Sequence, residues 1–219
     1  MNKRVFNLLI VDESGSMGVI EQQTISGINE TLQSIRNRAE RHPDAESYIT
    51  LVTFSSERIE QIYDNVPADK AHDIHPRDYQ PEGCTPLYDA VGQSINHLRE
   101  QIATTDSVFV TIITDGYENA SWRYTKQSVR RLIEDMRHND WVFTFIGANI
   151  DVKQSSEDLG VSYYAEFKQD DRGTKHMFTK LGHVMDKVTE RCMREPKLKL
   201  NKAAMDANIQ EDLDEMNAL

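Results

Sequence analysis

The chain is poor in the residues that mark a secreted scaffold, a membrane span or a nucleotide loop. Two cysteines among 219 residues, Cys84 and Cys192, stand far apart and give neither a disulfide framework nor a CxxC metal site. No Walker A and no G-x-G-x-x-G sequence occurs. Hydrophobic residues make up 38%, adequate for a core at this length, and no apolar run is long enough to span a bilayer. Lys3 and Arg4 precede an apolar stretch that ends early, in Asp12-Glu13, which fits a strand and not a signal peptide. Positive charge is also short. With 25 Lys and Arg against 36 Asp and Glu, the net charge of -11 argues against nucleic-acid and anionic-membrane partners. The expected location is the cytoplasm.

What is present is organised around residues 5–18, VFNLLIVDESGSMG. Residues 5–11 have the length, branching and continuous hydrophobicity of a strand buried on both faces, the kind found centrally in a parallel sheet. The carboxyl end of such a strand opens into the ligand crevice. Here it delivers Asp12-x-Ser14-x-Ser16, short oxygen-bearing side chains on a tight turn. Magnesium prefers oxygen ligands in a small octahedron and keeps several waters. The same three residues would equally serve to cap the next helix.

Downstream, Ile25, Ile28, Leu32, Ile35 and Ala39 recur at helical spacing, and the helix is expected to stop before His42-Pro43. Residues 48–54 and 58–63 read as a hairpin about Ser55-Ser56-Glu57, placing one antiparallel strand at a sheet edge. Residues 67–83 form a polar loop with three prolines. Thr85-Pro86 reads as a helix start, threonine as N-cap and proline at the first helical position. Residues 108–113 are a second buried β-branched run, ending in Thr114-Asp115-Gly116. A helix around Val129–Met136, a strand over 141–146, a short helix over 151–159 and a strand over 161–164 follow. A long last helix carries Phe178, Leu181, Met185, Val188 and Cys192 on one face, making Cys192 a core residue. This alternation predicts an α/β chain: a doubly wound three-layer α/β/α, Rossmann-like arrangement with a mostly parallel six-stranded sheet and one antiparallel edge strand.

Two strands thus bring aspartates to their carboxyl ends. If they are neighbours where the strand order reverses, Asp12 and Asp115 face one crevice, and the helix start at Thr85 can add a third oxygen. Asp12, Ser14, Ser16, Thr85 and Asp115 then make an all-oxygen metal site from three segments. Each also has a structural use: the serines and Thr85 as caps, Asp115-Gly116 as a turn pair.

The segments DESGS, TPLYDA and ITDGYEN resemble the von Willebrand factor type A domain, whose metal-ion-dependent adhesion site is written DxSxS, then a threonine, then an aspartate after a later strand. The resemblance runs from about Val5 to Met193, giving one domain over residues 1–196 and a charged tail over 197–219, disordered or a short helix. It implies that Ser14 and Ser16 ligate magnesium (manganese or calcium as substitutes) through their hydroxyls. Thr85 would bind directly in an open state and through water or not at all in a closed one. Asp12 and Asp115 would act mostly through ordered waters and hydroxyl contacts. An Asp or Glu carboxylate of a partner protein would complete the octahedron, with no catalysis by this chain, which is expected to be a monomer. The segments FIGANIDVKQSSEDLGV and DGYENAS are similar to stand-alone intracellular members in bacteria and their phages.

The competing function is a magnesium-dependent phosphohydrolase with Asp12 as nucleophile. Haloacid-dehalogenase-like phosphatases place a second acid two residues on, where this chain has Ser14. Ser16 does not sit in a G-x-S-x-G elbow. Among neighbouring residues, Glu13 is expected to face solvent and His176 and His183 to lie on the surface, while Tyr117, Glu118 and Asn119, which follow Asp115, serve either to shape ligand choice at the rim or as an ordinary polar loop. His72, Asp73, His75 and Asp78 lack the spacing of a zinc site.

Overall fold

The computed structural model describes residues 3–139 and 141–194, with side-chain surroundings as far as Asp186. The continuous apolar run at the N-terminus forms β1 (Lys3–Asp12), and its side chains alternate between two cores. Val5, Leu9 and Val11 face one, Phe6, Leu8 and Ile10 the other. A strand buried on both faces belongs in the middle of a sheet, and β1 lies there.

The chain continues through a 3-10 turn (Gly15–Ile20) into α1 (Glu21–Arg41), then β2 (Ala45–Phe54) and β3 (Ile59–Pro67). Next come α2 (Leu87–Gln101), β4 (Ser107–Thr114), α3 (Lys126–His138), β5 (Val142–Gly147), α4 (Val152–Leu159), β6 (Tyr163–Glu166) and α5 (Asp171–Arg194). The six strands form one sheet in the order β3-β2-β1-β4-β5-β6. Every pair is parallel except β2 with β3. This is the doubly wound sheet expected, with its antiparallel strand at one edge.

The periodic apolar residues determine which helix covers which face. Ile25, Ile28, Leu32 and Ile35 of α1 join Phe178, Leu181 and Met185 of α5 on one side. Leu87, Val91, Ile95 and Leu98 of α2, with Val129 and Ile133 of α3, cover the other. Each such fully buried aliphatic side chain contributes roughly 1.5–3 kcal/mol relative to exposure. The approach of α1 to α5 depends on Gly27, where a Cβ would sit 1.9 Å from the Phe178 ring. α1 ends at Arg41 as the His42-Pro43 pair requires, with the His42 amide donating to the Arg38 carbonyl.

Some boundaries differ from the pattern. β6 begins at Tyr163, because Gly160 in the left-handed region (φ +74°) and Val161 close the end of α4. The hairpin strands run longer than expected and shift register, with Asn65 at φ +50°. Val188 and Cys192, and the tail over 197–219, lie outside the residues whose side chains are described. No described helix is long and apolar enough to cross a membrane.

Candidate functional site

β1 and β4 are hydrogen-bonded neighbours, with Val11 opposite Ile113. Strands β2 and β3 lie beyond β1, while β5 and β6 lie beyond β4, so the strand order reverses between them. Asp12 and Asp115 therefore leave adjacent carboxyl ends into the crevice that such a reversal opens.

Asp12 is wholly buried. Its Oδ1 accepts from the Ser14 amide at 2.7 Å, and its Oδ2 from the Thr114 hydroxyl at 2.5 Å. The carboxylate is thereby aimed by its own turn and by the neighbouring strand. The Ser16 hydroxyl donates to Asp115 Oδ1 at 2.6 Å, and the hydroxyls of Ser14 and Ser16 lie 3.3 Å apart. Neither hydroxyl caps the 3-10 turn that follows, which starts without a side-chain cap. The capping use left open by the sequence is not the one adopted.

Thr85 is not an N-cap either. Pro86 occupies that position, with φ -82° and ψ 60°, and α2 starts at Leu87. The first amides of the helix are met from the loop after β4: Tyr88 donates to Glu118 Oε2 and Asp89 to Ser121 Oγ. Thr85 pairs its backbone with Asn119, whose side chain accepts from the Thr85 amide and whose amide donates to the Thr85 carbonyl. Its hydroxyl is thus released from helix capping. Thr85 Oγ1, Asp12 Oδ2 and Ser16 Oγ all lie within 3.9 Å of the point where a Cβ on residue 116 would sit. Glycine at 116 leaves that space open, and the five predicted residues converge around it.

The electrostatics follow from burial. Desolvation pushes Asp12 up from 3.8 to about 6 against the two hydrogen bonds it accepts. Desolvation raises Asp115 too, opposed by Ser16 and by the side-chain amide of Gln169, which donates to Asp115 Oδ2 and to the Ser16 carbonyl. Among the described residues neither aspartate pairs with Lys or Arg. Two desolvated carboxylates and three hydroxyls, lacking a protein cation, form a donor set suited to a hard divalent ion. No group of three or more His, Cys, Asp or Glu that could hold a metal occurs among the described residues. The four loop residues His72, Asp73, His75 and Asp78 serve other ends. Asp73 pairs with Arg36, His75 and Asp78 cap a 3-10 turn, and the His72 carbonyl accepts from Tyr63.

Several residues that build the site escaped the sequence reading. Glu13, expected at the surface, is fully buried: it pairs with Arg58 at 2.7 Å and accepts from the Gln80 amide. The reason is the 67–83 loop, which folds back over the end of β1. Its Tyr79 is buried and donates to the Asp12 carbonyl at 2.6 Å, and the Gly83 carbonyl accepts from the Gly15 amide. Glu118 and Asn119 tie the loop after β4 to the start of α2. Asp89 does so from the helix side, accepting from the amides of Trp122, Arg123 and Tyr124. Gln169, placed by the β6–α5 connection and held by Asn149, had no local signal. His183 is exposed as expected, whereas His176 is half-buried with its Nε2 unpaired.

No family model and no curated protein matches the sequence. Solved structures do match in three dimensions. The vWF domain of the type V pili tip protein Mfa5 from Porphyromonas gingivalis aligns over 85% of this chain and 96% of that one, at TM-score 0.60 and 10% identity. The fold is that of a von Willebrand factor type A domain. The SpRpn10 VWA domain aligns over 80% of this chain and 94% of its own, at TM-score 0.55 and 12% identity. The pilus adhesin SpaC from Lactobacillus rhamnosus GG aligns over 84% of this chain, at TM-score 0.63 and 14% identity. The chain spans 30% of SpaC and 46% of proximal thread matrix protein 1 from the mussel byssus. At these identities the likeness is one of type A fold alone.

Proposed function

We propose that this chain is a magnesium-dependent protein-interaction module. It binds an acidic group of a partner protein through Asp12, Ser14, Ser16, Thr85 and Asp115. The observation that carries this reading is the convergence of oxygens from three separate segments on one crevice, without a Lys or Arg among the described residues to neutralise them. The hydroxyls of Ser14, Ser16 and Thr85 would hold the ion, with Asp12 and Asp115 orienting them and its waters. What the ion supplies when bound is an electrophilic position for a carboxylate oxygen from outside. Manganese or calcium would substitute. Similarity in fold to a pilus adhesin and to the vWF domain of a pili tip protein supports a binding role over a catalytic one.

Phosphoryl transfer through Asp12 finds no support. Both of its oxygens are engaged in hydrogen bonds, it is wholly buried, and Ser14 stands where a general acid would be needed.

Calorimetric titration with magnesium chloride, alone and with acetate or an Asp-containing peptide, tests the proposal. Wild type should bind the ion, more tightly when the carboxylate is present, and Ser14→Ala/Ser16→Ala should not. Equal heats for the two proteins would overturn it.

A further inference from the structure

Among the described residues, the large hydrophobic side chains that stand exposed are Val19 (74%), Tyr117 (58%) and Trp122 (78%). Single exposed hydrophobics scattered over a surface carry no message. These three all belong to segments that carry the candidate site residues. Val19 belongs to the segment that carries Ser14 and Ser16, and Tyr117 and Trp122 to the loop that begins with Asp115.

Tyr117 is tied down through its side chain and Trp122 through its backbone. The Tyr117 hydroxyl accepts from the Asp151 amide at 2.8 Å. The Trp122 amide is fixed to Asp89 in the first turn of α2, and the Arg123 guanidinium lies over the indole ring, 4.6 Å from its centroid. Exposed aromatics with an arginine beside them are the composition of binding hot spots. On a chain of net charge -11, an acidic partner is repelled by most of the surface. Arg123 gives this rim a positive group beside its apolar one.

Building on the function proposed above, we propose that Trp122, Tyr117 and Arg123 form a specificity rim. It selects a partner-protein segment in which the metal-seeking Asp or Glu is followed closely by an aromatic or large aliphatic side chain. The acid fills the metal position, and its apolar neighbour packs on Trp122 and Tyr117.

The test uses an array of capped pentapeptides with a central Asp, flanked by Gly, Leu, Phe or Trp, probed with the full chain in magnesium and in EDTA. Magnesium-dependent binding should favour the Leu, Phe and Trp flanks over Gly by about tenfold. Trp122→Ser, a change at an exposed side chain, should bring that ratio to within about twofold while Asp-centred peptides still bind. Flank-independent binding, or a preference unchanged in Trp122→Ser, overturns the rim and leaves the metal reading standing. If no peptide binds in a magnesium-dependent way, both fall. A peptide of this chain's own residues 209–217, IQEDLDEMN, binding as well as the best array member would assign the surface to the chain itself and overturn the partner.

Discussion

Ser16 and Asp115, separated by 99 positions, meet through a 2.6 Å hydrogen bond from the serine hydroxyl to the carboxylate. The contact joins the loop after β1 to the end of β4 across the point where strand order reverses. Ser16 is the exposed member of the set, and Asp12, Ser14, Thr85 and Asp115 lie beneath it. An ion would enter from the Ser16 side. Ser16→Ala should therefore abolish the rise in melting temperature produced by magnesium while shifting the melting temperature in EDTA only slightly. Differential scanning fluorimetry with and without the ion reads both. A mutant still stabilised to the wild-type extent would remove Ser16 from the ligand set.

The metal-free chain should lose stability as pH rises. Burial lifts Asp12 to about 6 in the fold, above its unfolded value near 4, so the contribution is complete below about pH 4 and lost on passing 6. Ionising Asp12 in place costs about 3 kcal/mol. Urea unfolding in EDTA should accordingly show a fall between about pH 4.5 and 7 that is smaller in Asp12→Asn, and magnesium should offset it at pH 7. Parallel pH profiles for wild type and Asp12→Asn would show that this carboxylate is not the cause.

Asp89 is the pin between α2 and the loop after β4. Its two oxygens accept from three consecutive amides, and it is almost entirely buried. Asp89→Ala leaves those donors without a partner and should destabilise by about 2–4 kcal/mol. Because the same loop positions Thr85 through Asn119, magnesium affinity should fall as well. Denaturant midpoints and calorimetry on the one variant separate the effects; full magnesium affinity would mean that Thr85 is positioned independently.

Glu13→Ala removes the partner of Arg58 and the acceptor of the Gln80 amide. Arg58 is partly exposed and retains Glu60 and Glu82, so the cost should be near 2 kcal/mol, below that of breaking a fully buried pair. Limited proteolysis should then cut within 67–83, since that loop is anchored to β1 at Glu13 and Tyr79. An uncut loop would mean that Tyr79 and the backbone contacts of Glu82 and Gly83 suffice to anchor it.

Gly27→Ala should destabilise by about 1–3 kcal/mol, although alanine favours helix, because its methyl would overlap the Phe178 ring. Stabilisation instead would mean that α5 moves away freely. Thermal melts decide.

The sequence by itself determined the sheet and its helices, and it put an acid at the end of two of the strands. Largely apolar, β-branched runs such as 5–11 and 108–113 have the length and composition of central strands, and the acid that follows each is local information. Periodic residues such as Ile25, Ile28, Leu32 and Ile35 likewise state their helix and its buried face. Tertiary structure alone decided how the site is held. Glu13 is buried because the loop that carries Gln80, 67 positions further on, folds over it, and Thr85 leaves its hydroxyl uncommitted because Glu118 and Ser121 cap the helix in its place. Gln169 reaches Asp115 only because β6 and α5 bring it there. Periodicity reports which side of an element avoids water. It carries no record of which distant donor will meet a given carboxylate, since that depends on chain closure across the whole sheet.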